Sequence, residues 1–100
     1  MDKLKTTRFD VTEFLKDEEM ITLFLEEAFA TGDPAYIAKA LGAVARARNM
    51  TKLAAEAGMS RTSLYKVLSG EGRPEFGSIV KIASALGYRV TVTPQVDEAA

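Results

Sequence analysis

The chain is a series of apolar stripes at helical spacing, separated by residues that begin or end helices. Over 17–31 apolar side chains recur every three or four residues, which predicts an amphipathic helix ended by Gly32. The pair Asp33-Pro34 offers a capping carboxylate and a proline suited to the first helical position, so a second helix is expected over 34–48. The predicted inward residues of these two helices are Ile21, Phe24, Leu25, Ala28, Phe29, Ile37, Ala40, Leu41, Val44 and Ala45.

Two short helices are predicted to follow. Asn49 is expected to end the second helix in the left-handed conformation, and Thr51 to cap a third helix of barely two turns. Gly58 is expected to break that helix, and Ser60 to cap a fourth that reaches Leu68.

The last third of the chain predicts one more helix and a strand. A loop over 69–74 is indicated by its glycine and proline content, and alternating residues over 89–93 predict a short strand that Pro94 stops. Between them a helix is expected to end at Gly87, with an apolar stripe of Phe76, Ile79, Val80, Ala83 and Leu86. The pattern as a whole predicts an all-α fold with one short C-terminal strand.

Composition narrows the chemistry. One hundred residues favour a single domain, and the chain contains neither cysteine nor histidine, so we expect no metal site, no cofactor and no enzyme activity. No apolar run approaches the roughly 20 residues of a membrane span, and the charged start does not resemble a secretory signal. We therefore expect a cytoplasmic protein without a membrane partner.

Charge is unevenly distributed along the chain. Residues 1–32 hold four cations and eight acids, a net charge of −4, and residues 33–100 hold nine cations and six acids, a net charge of +3. The segment 39–73 contains seven cations and two acids, a net charge of +5. This division favours two partners of opposite charge, and the alternative is that both segments are ordinary solvated surfaces.

The segment 51–68 carries the functional motif. A short helix, a turn with glycine and a second helix form a helix-turn-helix unit, which places its second helix in the major groove of DNA. Ala54 is small where the second helix would cross, and the angle between the helices would be filled by Leu53, Ala57, Leu64 and Val67. The opposite side of the second helix offers arginine, threonine, tyrosine and lysine to base edges and phosphates.

The spacing of Leu53-Ala54, Gly58, Ser60 and Leu64 resembles that of the Cro/C1-type (XRE) helix-turn-helix family. The resemblance implies a five-helix DNA-binding domain, which would span about 33–86. Asn49 departs from the family, where glycine is common at that turn, but asparagine tolerates the same left-handed conformation.

Nearly the whole chain is also similar to the addiction-module antidote family, the small HigA-like antitoxins. That similarity implies a dimeric antitoxin that neutralises a RelE/ParE-type toxin by direct binding and represses the operon through sequence-specific binding to operator DNA. The residues that carry it are Phe9-Asp10, the glutamate-rich first helix, Gly32-Asp33, Ala40-Leu41-Gly42, Ala45-Arg46-Ala47-Arg48, Ser60-Arg61, Leu64-Tyr65, Leu68-Ser69 and Ala85-Leu86-Gly87.

The sequence divides into three predicted parts: an N-terminal helical extension (1–32), a DNA-binding domain (33–87), and a short strand with a frayed tail (88–100). Tyr65 could either pack half-buried or contact a phosphate through its hydroxyl. The cations could contact DNA or could simply be solvated surface residues. The residues predicted to contact DNA are Thr51, Lys52, Ser60, Arg61, Thr62, Ser63, Tyr65, Lys66 and Arg73.

The first helix has a second apolar side, which predicts a protein contact. Met20 and Leu23 project away from the main apolar face and lie beside acids that include Glu27, an arrangement typical of an interface with a basic toxin. The alternatives are that this side packs within the chain or across a homodimer, or that the strand 89–93 contacts the toxin by edge pairing. A homodimer is expected because one short recognition helix reads too few base pairs.

Two other functions stay open at this point. One is a plain Cro/C1-type transcriptional regulator without a toxin, and the other is a protein-interaction module that has the fold but does not bind DNA. A neighbouring gene for a small basic toxin would distinguish the antitoxin from the plain regulator, and salt-sensitive DNA binding would exclude the interaction module.

Overall fold

Five helices make up the computed structural model, which describes residues 17–96. The start of the predicted N-terminal extension and the end of the predicted tail lie outside these residues. The prediction of an all-α fold is confirmed, and none of the described helices is both long and apolar enough to cross a membrane. The helices are α1 (Glu18–Ala30), α2 (Pro34–Arg46), α3 (Met50–Ala57), α4 (Arg61–Leu68) and α5 (Phe76–Ala85).

The helices α1 and α2 each begin at an aspartate whose side chain caps the helix. The Asp17 carboxylate accepts a hydrogen bond from the Glu19 N–H at 2.8 Å, and the Asp33 carboxylate accepts one from the Ala35 N–H at 3.0 Å. Pro34 occupies the first position of α2, where the missing N–H would have had no partner. Gly32 takes φ +71° between these two helices, as the sequence predicts.

The prediction for the junction between α2 and α3 is wrong in two respects. Asn49 is extended (φ −97°, ψ 109°) rather than left-handed, and its side chain caps α3 by accepting the Lys52 N–H at 3.0 Å. Thr51 therefore lies inside the first turn and is not the cap. The chain leaves α2 at Arg46 through an ordinary right-handed turn, so no left-handed residue is needed there and asparagine is free to act as a cap.

All five helices share one hydrophobic core. Ile21 and Leu25 on α1 are buried in the same cluster as Leu41 on α2 and Leu64 on α4. Only four of the five helices lie within 33–87, and α1 completes the set. The hydrophobic core thus continues across the boundary predicted at residue 32.

Two glycines allow α4 and the loop after it to approach α2 closely. At Gly42 an added Cβ would lie 3.1 Å from the carbonyl oxygen of Leu68, so this glycine sets the α2–α4 contact. At Gly70, which has φ +77°, an added Cβ would lie 2.9 Å from the side chain of Lys39 and 3.0 Å from a backbone oxygen. Both positions favour glycine, because backbone atoms or a neighbouring side chain occupy the space that a Cβ would need.

Two predictions for the C-terminal part are corrected. Phe76 is 71% exposed rather than buried, because it is the first residue of α5 and the helix packs through a stripe that starts at Ile79 and includes Ile82. No strand is present within 17–96, and residues 89–96 have no regular secondary structure. A strand needs a hydrogen-bonding neighbour, and the described part of a single chain offers none to this segment.

Candidate functional site

The helices α3 and α4 are joined by a tight turn whose geometry follows from Gly58. Its φ of +70° lets the Met59 N–H reach the Ala54 carbonyl at 2.9 Å while the Gly58 N–H bonds to the Ala55 carbonyl at 3.1 Å. This pair of bonds satisfies the last carbonyls of α3 and turns the chain sharply. Ser60 then caps α4 by accepting the Ser63 N–H at 3.0 Å, as predicted.

The α3–α4 pair buries its inner angle and exposes its outer side. Leu53, Ala54, Ala57 and Leu64 are buried between the helices, and Val67 is half-buried. Every residue that the sequence predicts to contact DNA is exposed: Thr51, Lys52, Ser60, Arg61, Thr62, Ser63, Tyr65, Lys66 and Arg73. The exposed cations and hydroxyls lie at the start of α3, on the outer side of α4 and in the loop after it. We call these nine residues the polar surface.

Arg61 and Tyr65 form a contact one turn apart on α4. The guanidinium carbon lies 5.8 Å from the centre of the tyrosine ring, within the range of a cation–π interaction. Tyr65 is 45% exposed, so its ring lies on the surface with one face toward Arg61. The ring is thus partly covered and contacts the arginine, and a phosphate contact through the Tyr65 hydroxyl stays a prediction.

The acids near the polar surface are weakly engaged. Lys52 and Glu56 are four residues apart on α3, with the ammonium 3.9 Å from the carboxylate and both side chains largely in water. Such exposed pairs contribute at most about 0.5 kcal/mol, so Lys52 can exchange its partner for a phosphate at little cost.

The exposed side of α1 has the opposite charge. Residues 17–32 contain five acids and no lysine or arginine, and all five acids are exposed. Leu23 is 54% exposed and Glu27 is exposed, whereas Met20 is only partly so. The predicted toxin contact is thus centred on Leu23, with Met20 at its edge.

A groove that is not predictable from the sequence lies between α1 and the segment after α5. Its volume is about 660 Å³, and it is lined by Leu25, Glu26 and Phe29 of α1 and by residues 88–93. Its anchor is a hydrogen bond of 2.9 Å between the hydroxyls of Thr22 and Tyr88, which are 66 positions apart. No local pattern could have predicted it, because the bond depends on how α1 and α5 pack.

Comparison with known proteins agrees with the family indicated by the sequence. A sequence model of a family described as "probable addiction module antidote protein" matches residues 5–94. An uncharacterized protein of Haemophilus influenzae strain Rd is 46% identical over 84 residues, which cover 84% of this chain and 87% of the relative. No solved structure matches the chain. Since the family model and the relative both span most of its length, the chain belongs to the addiction-module antidote family.

Proposed function

We propose that this protein is a non-catalytic, DNA-binding antitoxin that acts as a dimer, binds operator DNA through the polar surface and neutralises a RelE/ParE-type toxin through the exposed side of α1. The observation that carries the DNA part is the arrangement of α3 and α4. All nine predicted contact residues are exposed, while the apolar residues of the same two helices are directed inward. In a Cro/C1-type helix-turn-helix, this arrangement would place α4 in the major groove.

The charge distribution supports the same proposal. With seven cations against two acids, the segment 39–73 would release counterions from the DNA phosphates on binding. The hydroxyls of Ser60, Thr62 and Ser63 lie on the first turns of α4, which is the end of a recognition helix that contacts bases and phosphates.

The DNA test compares two lysines that are both exposed on helices. Lys66→Ala removes a charge from the polar surface, and Lys81→Ala removes one from α5, outside it. Binding to a duplex from the region upstream of the protein's own gene is measured by fluorescence anisotropy at several salt concentrations. We expect Lys66→Ala to weaken binding and to reduce the salt slope by about 1, with Lys81→Ala unchanged. Equal effects of both variants would refute the assignment of α4 to DNA.

Specific recognition is tested with Arg61→Ala. A side chain that reads a base should discriminate the operator from an unrelated duplex by about 1–3 kcal/mol, or roughly 5- to 150-fold. If Arg61→Ala weakens binding to both duplexes equally, the arginine contacts phosphate rather than a base.

The toxin part of the proposal rests on the family and on the charge of α1. An antidote acts against a toxin, so membership of this family implies a toxin partner. Exposed Leu23 has three exposed acids beside it on the helix, Glu19, Glu26 and Glu27. Such a surface suits a basic protein, because opposite fields speed association and an apolar centre contributes affinity. The RelE/ParE class is carried over from the resemblance and is part of the proposal.

The toxin assay is co-expression with the product of the adjacent gene, read out by growth and by co-purification. Leu23→Ser is expected to weaken neutralisation while operator binding stays intact. Val96→Ser is the matched control, because it also removes an exposed apolar side chain but lies outside α1 and outside residues 89–93. Full neutralisation by folded Leu23→Ser would move the toxin contact away from α1, and a lack of any growth effect of the adjacent product would favour a plain transcriptional regulator.

A further inference from the structure

The segment after α5 leaves the core in a fixed direction. Gly87 has φ +98°, and the next residue, Tyr88, donates its N–H to the Ala83 carbonyl at 2.8 Å. The Tyr88 hydroxyl also bonds to Thr22 on α1 at 2.9 Å. Tyr88 is thus held at both ends, by α5 through its backbone and by α1 through its side chain.

Beyond this anchor the chain has the features of half of a two-stranded ribbon. Val90 is half-buried, and Val92, which also lines the groove, is 93% exposed. In an extended strand these two side chains lie on the same side. Among residues 17–96, no backbone hydrogen bond connects 89–96 to any other described residue. An apolar side chain and a row of peptide groups are therefore exposed at the same place, which is the condition in which a second strand adds to an edge.

We propose that two copies of this protein pair through residues 89–93 as an antiparallel ribbon with its twofold axis at Thr91. In this register Thr91 lies opposite its own copy, Val90 lies opposite Val92 of the second copy, and Arg89 lies opposite Thr93. Cross-strand pairs of β-branched residues stabilise a ribbon, and no like charges meet. Each exposed Val92 is covered by the second copy's Val90 next to its groove.

The positions of the backbone donors fit the same register. If Thr91 forms a hydrogen-bonded pair with its copy, the N–H groups directed at the partner belong to Arg89, Thr91 and Thr93. Pro94, which has no N–H, then falls at a position that donates nothing across the pair. A register centred on Arg89 would instead place two arginines opposite each other. A hydrogen-bonded pair centred on Val90 would need the Tyr88 N–H, which already bonds to the Ala83 carbonyl.

The ribbon does not stand alone. Two strands in water are marginal, but packing against helices stabilises them. Here each strand lies along a groove of about 660 Å³ whose wall includes Leu25 and Phe29 of α1 and Ala83 of α5. A second copy of the same segment fits this edge, because its valines continue the apolar wall and no like charges meet in the register given above. This inference rests on the dimer of the proposed function and assigns its interface, and it does not depend on DNA or toxin binding. A folded Val92→Asp that still dimerises would refute the ribbon and leave the proposed dimer in place.

A cysteine crosslink tests the register in the full-length chain, which has no cysteine of its own. Residues opposite each other in a hydrogen-bonded pair are about 5.5 Å apart at Cα, which a disulfide can span. Thr93 and its copy would be separated by four residues, about 13 Å along the strand, which a disulfide cannot span. We therefore expect Thr91→Cys to form a covalent dimer under mild oxidation, seen on a non-reducing denaturing gel. The matched Thr93→Cys is expected to run as a monomer on the same gel.

A charged substitution tests the contact between the two segments without a covalent crosslink. Val92→Asp would place a carboxylate opposite Val90 in both halves of the dimer, so we expect at least a tenfold weaker dimer by sedimentation velocity. Val96→Asp is the control, because Val96 is 81% exposed and lies beyond Pro94. Circular dichroism verifies that both variants keep the helical fold. A monomeric parent protein, equal crosslinking of Thr91→Cys and Thr93→Cys, or a folded Val92→Asp that dimerises as well as the parent would each overturn the proposal.

Discussion

The role of α1 in the core can be tested with two substitutions on the same helix. Ile21 is 1% exposed and ranks among the largest fully buried side chains, whereas Leu23, two residues later, is 54% exposed. Ile21→Ala removes apolar volume from the interior and leaves a cavity, which destabilises proteins by about 2–5 kcal/mol. Leu23→Ala changes a surface side chain, for which the expected change is within about 0.5 kcal/mol.

The loss expected for Ile21→Ala is large relative to the total free energy of unfolding. A domain of this size has an unfolding free energy of about 5–15 kcal/mol, so Ile21→Ala removes a substantial part of it. With an m-value of about 1–3 kcal/mol per molar urea, a loss of 3 kcal/mol lowers the midpoint of unfolding by roughly 1–3 M. On heating, each kcal/mol corresponds to about 4–8 °C in Tm for a domain of 60–100 residues.

The assay is urea and thermal unfolding followed by circular dichroism at 222 nm, with the parent chain and both variants at one protein concentration. We expect Ile21→Ala to lower both midpoints while the slope of the urea transition is unchanged. If Ile21→Ala costs no more than Leu23→Ala, α1 is a detachable arm and the shared core described above is refuted.

Three further predictions concern the loop after α4 and the polar surface. In urea unfolding, Gly70→Ala should destabilise the protein by about 1–3 kcal/mol more than Gly72→Ala. Both glycines have positive φ, but only a Cβ at Gly70 would meet atoms of α2. Equal losses of stability would contradict this. Tyr65→Phe should bind DNA within about twofold of the parent and Tyr65→Ala about 2- to 5-fold more weakly, because the ring orients the arginine on α4; an equally weak Tyr65→Phe would assign the role to the hydroxyl. Glu56→Gln should strengthen DNA binding at low salt and change the free energy of unfolding by no more than about 0.5 kcal/mol, because the ion pair of Glu56 with Lys52 is exposed. A loss of stability above about 1 kcal/mol would show that the pair stabilises the fold.

Much of the local structure could be predicted from the sequence because it depends on neighbours in the chain. The caps at Asp33 and Ser60 act on N–H groups two or three residues away, and Gly58 has its left-handed conformation for lack of a Cβ. The exposed side of α4 was likewise predictable, since Leu64 and Leu68 define its buried side by helical spacing alone. Asn49 shows the limit of this reasoning, because asparagine suits both a helix end and a helix start and the path of the chain decides between them.

Contacts between distant segments were decided only by the tertiary structure. Periodicity could not show that α1 completes the core, or that Phe76, at the right spacing for burial, lies outside the packed stripe of α5. The Thr22–Tyr88 hydrogen bond joins residues 66 positions apart, and the alternation over 89–93 could not determine whether a strand forms. The physical reason is the same in each case: a helix cap is satisfied within its own turn, whereas a buried face or a strand edge is satisfied by whatever the fold brings beside it.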